Sequence, residues 1–519
     1  MGSEAVRLPL VGVPTARDGQ LIKDQRYINM LPETIFNQTT GASKVFVLKR
    51  PGLKPKWTHP AGESRGAITW NDNIYYVINN KLYKNNTEIF TLPTTTGTVG
   101  FTIGKATDYF LFMCDGISGW IISTTDTVAL VGEHVTWTAS TAYTLGQLVA
   151  PTVDNGYWYK VTTAGTSGAT QPTWPTTEGA TVVNGTVTFT AQLKTVFPTP
   201  HIPMPIFMDG YIFLATDKEI YNSELELPDQ WRSSSFISAE MYPDAIVGLA
   251  RQTNQLVAIG AFSTEFFYNA GNSLGSPLAR TDQAVYQGGG TNKDSIAQAE
   301  GILCFVAQSS AGNRYVVAID GLKPTPISTQ PIERILDDEP DVSKFIGNMI
   351  RSKGHLLYVV NLSSHTIVYD FTQKMWVEFS TNNSVFNCRK ATISPQYPYI
   401  LGLTDGVVYE FDPNYYSDNS HDIYCMLQTS NYDGETMLWK YCNRIDLIGD
   451  RYDSSNLIFL SYSDNDYKSF NTPRGMDLFT RTYLYRLGQF KRRAWKIEHQ
   501  QAMPLRLESL EIYLDVGVH

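Results

Sequence analysis

Residues 73–85, NIYYVINNKLYKN, place Ile74, Tyr75, Tyr76, Val77 and Ile78 before an Asn-Asn pair and resume with Leu82 and Tyr83. Apolar runs of four to six residues are too short for a helix, and Asn tolerates the positive φ of a tight hairpin turn. The stretch predicts two strands joined by a short turn. Its arms are so uniformly apolar that both faces of the resulting sheet must be covered.

The pattern recurs along the chain. YFLFMC at 109–114 precedes Asp115-Gly116 and then Trp120-Ile121-Ile122, and YIFLA at 211–215 leads through Thr216-Asp217-Lys218 to 219–221. LVAI at 256–259, ILCFV at 302–306, LLYVV at 356–360 and YILG at 399–402 each precede a second apolar arm. A spacing of about 30 to 50 residues is that of β-propeller blades, where each small sheet hides its apolar faces only against its neighbours. About seven such units between residues 65 and 413 predict a β-propeller, with a β-sandwich or solenoid as the alternative.

The whole chain agrees with a mainly β protein. Its 519 residues imply two to four domains, and 30 Tyr among 12% aromatics favour strands and turns. A formal charge of −9 argues against a surface built to grip nucleic acid, although an acidic protein can surround DNA without holding it. The five cysteines (Cys114, Cys304, Cys388, Cys425, Cys442) show no CxxC spacing and read as buried thiols. No signal-peptide pattern opens the chain and no run of about 18 apolar residues crosses it, so the expectation is cytoplasmic assembly without a membrane span.

Composition also divides the chain. Residues 131–193 turn to Thr, Gly, Ala and Pro, which predicts a small β module inserted between propeller segments 65–130 and 194–413. Its Trp137, Tyr157, Trp158 and Trp174 either form the module's own core or stack on a glycan or partner. Residues 414–420 read as a linker. Residues 414–519 alternate polar and apolar, predicting a C-terminal β-sandwich or barrel that the strands of 1–64 join. The one clear helix signal is 328–336, where Pro331 follows a cap.

No pattern for chemistry emerges. The eight histidines are dispersed without HExxH spacing, and the glycines at 288–290 lack the order of a phosphate-binding loop. Gly271-Asn272-Ser273-Leu274-Gly275 matches GxSxG, but Pro277 follows where a nucleophile elbow needs a helix. The acidic run 337–341 reads as a solvated helix end and 463–470 as a hairpin turn. The expectation is no catalytic residue, no metal and no cofactor. One basic run, Lys491, Arg492, Arg493 and Lys496, with Arg481 and Arg486 before it, predicts a subunit or partner contact.

Several short motifs keep a common order: Tyr27-Ile28-Asn29-Met30-Leu31-Pro32, Arg50-Pro51-Gly52-Leu53, Ser64-Arg65-Gly66 with Lys81-Leu82-Tyr83-Lys84, and Ala239-Glu240 with Pro243-Asp244-Ala245-Ile246-Val247-Gly248. Ser263-Thr264-Glu265-Phe266-Phe267, Ile332-Glu333-Arg334-Ile335 and Arg486-Leu487-Gly488 complete the series. This order resembles the tail-nozzle, or packaged-DNA stabilisation, family of short-tailed phages of the Salmonella podovirus type. The resemblance implies a homohexameric tube in the virion tail, below a portal-adaptor ring and joined to a needle or plug and to fibres or spikes. It implies retention and later non-specific passage of double-stranded DNA. The 131–193 insertion is a departure from that pattern. The rival reading is a phage-tail propeller that binds or hydrolyses carbohydrate.

Overall fold

The computed structural model describes residues 4–12, 25–36, 43–239, 241–272, 274–394 and 396–517. The chain is mainly β and divides into two compact units, Arg65–Gly290 and Met1–Ser64 with Thr291–His519.

In Arg65–Gly290 the opening stretch is a hairpin, with strands Asn73–Ile78 and Lys81–Lys84 paired and Asn79 at φ +55° in the turn. Strands Ser64–Trp70 and Thr87–Thr91 flank it to complete a four-stranded antiparallel sheet, here blade 1. Blade 2 runs from Gly100–Lys105 to Val128–Leu130, blade 3 from Ile202–Met208 to Leu227–Ser238, and blade 4 from Ile246–Gln252 to Leu278–Tyr286.

Both faces of these sheets are apolar because neighbouring blades share their cores. In strand Tyr109–Cys114 of blade 2, Leu111 and Met113 join Tyr75, Val77 and Leu82 of blade 1. The alternate residues Phe110, Phe112 and Cys114 join Ile212, Leu214 and Trp231 of blade 3. Phe213 and Ala215 then pack with Leu249, Leu256 and Phe267 of blade 4. A period of two thus places an unbroken apolar run into two separate cores.

Close packing of the blades requires glycine at the first strand. A Cβ on Gly66 would lie 2.1 Å from the Val99 carbonyl oxygen, and one on Gly100 would lie 2.1 Å from that of Pro203. Only a residue without a side chain lets these backbones approach.

Between blades 2 and 3 the chain forms the inserted module, a five-stranded sheet in the order Val135–Thr136, Leu148–Ala150, Tyr157–Thr163, Val187–Leu193, Thr181–Asn184. Its core holds Trp137, Tyr143, Tyr159 and Phe189.

The other unit contains three further blade sheets. Blade 5 is built on Ile302–Gln308, Arg314–Asp320 and Lys323–Pro326, and blade 6 runs from Ile346–Ser352 to Met375–Glu378. Cys304 and Val306 of blade 5 share a core with Tyr358 and Val360 of blade 6, closed by Ile332 and Leu336 of helix α1 (Gln330–Asp337). Thr329 is the N-cap and Pro331 lies in the first turn, where its missing N–H costs nothing.

The N-terminal strands are woven through this unit. These are β1 (Glu4–Pro9), β2 (Arg26–Ile28), β3 (Met30–Phe36), β4 (Ser43–Lys49) and β5 (Gly52–Thr58). β5 supplies the fourth strand of blade 7, pairing antiparallel with Val407–Asp412. β2 pairs parallel with the last strand of blade 6 and antiparallel with Cys425–Gln428. One nine-stranded sheet therefore runs from blade 6 through β2 into the C-terminal strands Ala494–His499, Leu457–Ser463 and Arg474–Asp477. β1, β3 and β4 join Lys440–Gly449 and Arg506–Val516 in a second sheet that shares the same core.

Two measurements check this packing. Gly100→Val forces a side chain into the Pro203 carbonyl and is expected to destabilise the protein by about 3 kcal/mol, read as a lower urea midpoint. His499 is buried, its Nε2–H donates to Asn456 Oδ1 at 2.7 Å, and desolvation together with the nearby Lys49 cation pushes its pKa down to about 3. The unfolded chain, with His near 6.5, binds the proton first, so stability falls as pH drops from about 6.5 towards 3. His499→Gln is expected to flatten that slope in urea titrations across the range.

Candidate functional site

Lys491, Arg492 and Arg493 lie in the turn between strands Gln489–Phe490 and Ala494–His499 and Lys496 lies in the second strand, and the four cations have four different environments. Lys491 is exposed, its Nζ 5.3 Å from the centre of the Trp439 ring. Arg492 is half-buried and donates to both carboxylate oxygens of Asp466. Lys496 pairs with Glu498 at 3.1 Å.

Arg493 points inward and is 1% exposed. Its guanidinium lies 3.7 Å from the Tyr462 ring centre and 4.4 Å from that of Phe490. Nε and Nη2 donate to Asp464 at 2.6 and 2.7 Å, and Nη1 donates to the Leu487 carbonyl at 2.7 Å. A buried guanidinium is tolerated when a bidentate carboxylate and carbonyls satisfy its donors.

The acidic partners come from the turn after Leu457–Ser463, where Ser463 and Asn465 hydrogen-bond at 2.9 Å and Asp466 and Tyr467 take positive φ. Two stretches that read separately in the sequence, 463–470 and 489–496, thus lock together. Nothing in the spacing marks Asp464 as the partner of Arg493, because the pairing spans 29 residues and depends on sheet topology.

Lys440 builds the neighbouring loop. Its ammonium is buried and donates to the carbonyls of Thr436, Leu438 and Lys491 at 2.6, 3.0 and 3.0 Å, and desolvation holds its pKa below the ordinary lysine value. These bonds fix Met437, Leu438 and Trp439 in place with their side chains exposed.

In the inserted module Trp137 and Trp158 are buried, and Tyr157 and Trp174 are half-buried. Trp174 stacks on Tyr159 at 4.0 Å, and Trp158 stacks on His134 at 4.2 Å. Trp137, Tyr157 and Trp174 pack in the module's core.

The remaining chemical candidates have structural surroundings. Ser273 lies outside the described residues, as do Glu240 and His519, and strand Leu278–Tyr286 follows Gly275 where an elbow would need a helix. Asp337 accepts the Arg314 amide and Asp341 the Ser343 amide, while buried Glu339 accepts from the amide and hydroxyl of Ser363. All five cysteines are buried, and burial pushes the thiols of Cys388 and Cys442 up to about 12. His355 pairs with Asp370 at 2.6 Å inside blade 6. Among the described residues no cluster of His, Cys, Asp or Glu has metal-site geometry, and no helix is long and apolar enough to cross a membrane.

Removing each acid separates the two arginines. Asp464→Ala leaves a buried cation without its carboxylate and is expected to cost about 3 kcal/mol in urea unfolding. Asp466→Ala, beside a partly exposed arginine, is expected to cost less than about 1 kcal/mol. Equal losses would contradict the assignment of Arg493 as the internal anchor.

The model of a protein family described as Phage_stabilise: Bacteriophage P22 Gp10, beta-propeller, matches residues 6–392. No curated protein matches the chain.

Proposed function

The chain belongs to the Bacteriophage P22 Gp10 phage-stabilisation family, a family of β-propeller proteins of the virion, and from that membership we propose that it is a tail-nozzle subunit. Six copies form a tube below the portal-adaptor ring, close the exit after packaging and then conduct DNA during ejection. A needle or plug and tail fibres or spikes complete the tail, which assembles in the host cytoplasm. The family match across blades 1 to 6 carries this reading.

The mechanism needs stiffness and no bond-breaking chemistry. Packaged DNA pushes outward, so retention depends on subunits that do not deform under load. The sheet that runs from blade 6 through β2 into the C-terminal strands supports that role, since pulling these parts apart means breaking the backbone ladders of β2 on both sides. Six copies at −9 carry a formal −54. Where part of that charge lines the bore, it repels DNA within a Debye length of about 8 Å and lets the genome slide. Trp137, Tyr157 and Trp174 pack in the module's own core and Trp158 is buried against His134, which supports a scaffold role over the glycan-binding alternative.

Phage particles assembled without this protein are expected to package DNA and then lose it, giving empty heads by electron microscopy. Stable full heads in its absence would contradict the reading, as would hydrolysis of host polysaccharide by the purified chain.

A further inference from the structure

We propose that the cavity beside Lys218 and the loop joining blades 3 and 4 is a peptide-docking pocket, which takes one apolar side chain and a single carboxylate from an extended segment of another protein. The proposal goes beyond the nozzle reading and does not depend on it.

The cavity has a volume of about 390 Å³ and is lined by Lys218, Ala239, Tyr242, Pro243, Asp244 and Ala245. That size lies in the range of pockets that bury most of a small ligand. Lys218 sits in the turn between strands Tyr211–Ala215 and Glu219–Glu224, and the other residues belong to the connection from Leu227–Ser238 to Ile246–Gln252.

Two of the ordered sequence motifs, 243–248 and 263–267, meet here and hold the loop. Asp244 accepts the amides of Phe262 and Ser263 at 2.6 and 2.9 Å and the Ser263 hydroxyl at 2.9 Å. Gly260 leaves room for that carboxylate, since a Cβ there would lie 2.6 Å from Asp244 Oδ2. Buried Glu265, paired with Arg280 at 2.6 Å, accepts the Met241 amide at 3.1 Å. The wall is therefore built before a ligand arrives, which lowers the entropy lost on binding.

The unspent polar groups decide the ligand. Asp244, the one carboxylate in the lining, is committed to the loop. The Lys218 side chain is exposed and has no acceptor among the described residues, and Tyr242 Oη accepts from Gln287 at 3.0 Å, which leaves its own O–H to donate. Both free groups are donors and one is a cation, so the complementary group is a carboxylate. The remaining lining, Ala239, Pro243, Ala245 and the Tyr242 ring, is apolar, and Met241 and Phe262 stand 46% and 45% exposed on the same loops. Met and aromatic residues are enriched where proteins meet, whereas a sugar needs acceptors for its hydroxyls and the lining carboxylate is spent. Residues 202–286 hold four cations against ten carboxylates, so one carboxylate is matched at Lys218 and a run of them is repelled.

Ligand-observed saturation-transfer NMR of the full chain with short capped peptides tests this. The probe is acetyl-Gly-Asp-Phe-Gly-amide, set against the same peptide with Asn for Asp, with Ala for Phe, and with two further Asp residues, and against glucuronate. Saturable binding of the probe in the millimolar range or tighter is expected, at least fivefold tighter than each control. Lys218→Gln is expected to erase the preference for Asp over Asn with an unchanged melting temperature, and Ala245→Trp, which fills the cavity, to abolish binding. Should Ala245→Trp not fold, Tyr242→Phe replaces it, with binding at least threefold weaker. Absence of saturable binding overturns the proposal, as does equal binding of the Asn peptide or full binding by both folded variants. Glucuronate binding more tightly than the probe also overturns it, assigning the pocket to acidic saccharides. Each of these leaves the nozzle reading intact, because that reading fails only if particles lacking the protein keep their DNA.

Discussion

The buried guanidinium of Arg50 organises the part of the molecule where the N-terminal strands, blades 6 and 7 and the C-terminal strands meet. Its side chain is fully buried between the rings of Phe379 and Phe386. Nε donates to Asn29 at 2.7 Å, Nη1 to the Pro51 carbonyl and to Asp418, and Nη2 to the Ser380 carbonyl and to Asp418. Five N–H groups meet five acceptors, which is the condition for a buried cation to be held at all. Asn29, in a left-handed conformation, extends the network to Ser380 and to the Tyr424 carbonyl, and Asp418 also accepts the Leu53 amide. The network is all-or-none, because losing one acceptor leaves a desolvated charge behind.

This pin ties two N-terminal strands that enter different sheets. β2 extends blade 6 into the C-terminal sheet, and β5 completes blade 7. Arg50 lies just before β5 and its guanidinium donates to Asn29, which directly follows β2, so the two strands are tied through one side-chain contact. A sheet that passes from blade to C-terminal strands transmits load along hydrogen-bonded backbone, whereas two domains on a flexible connection would hinge.

Much of the fold was legible because blade strands carry an unusual signal. Runs such as YFLFMC and LLYVV have no polar face, and only sheets stacked on both sides can use them; Leu357 and Leu356 accordingly enter different cores. The predicted helix at 328–336 lies at Gln330–Asp337, shifted because Thr329 caps it. Long-range pairing was not legible. Residues 414–420 read as a polar linker, yet Asp418 within them is buried and bridges to Arg50 across 368 positions. The motifs at 27–32 and 50–53 stood out by family resemblance, and their physical reason emerges only from Asn29 and Arg50 in contact. At the basic run, composition marks four equivalent cations, and only the fold separates the internal anchor Arg493 from the exposed Lys491.

The central claim is that β2, β5 and the Arg50 network bind blade 6, blade 7 and the C-terminal strands into one cooperative body. Hydrogen exchange of the full chain, followed by mass spectrometry, tests it most directly. Amides of 26–31, 50–57, 366–370 and 425–428 are expected to exchange together, in the slowest class and only through global unfolding of that unit. Exchange of 26–31 well ahead of the blade 6 and C-terminal peptides would contradict the account, since it would show a tie that opens while the parts it joins stay folded.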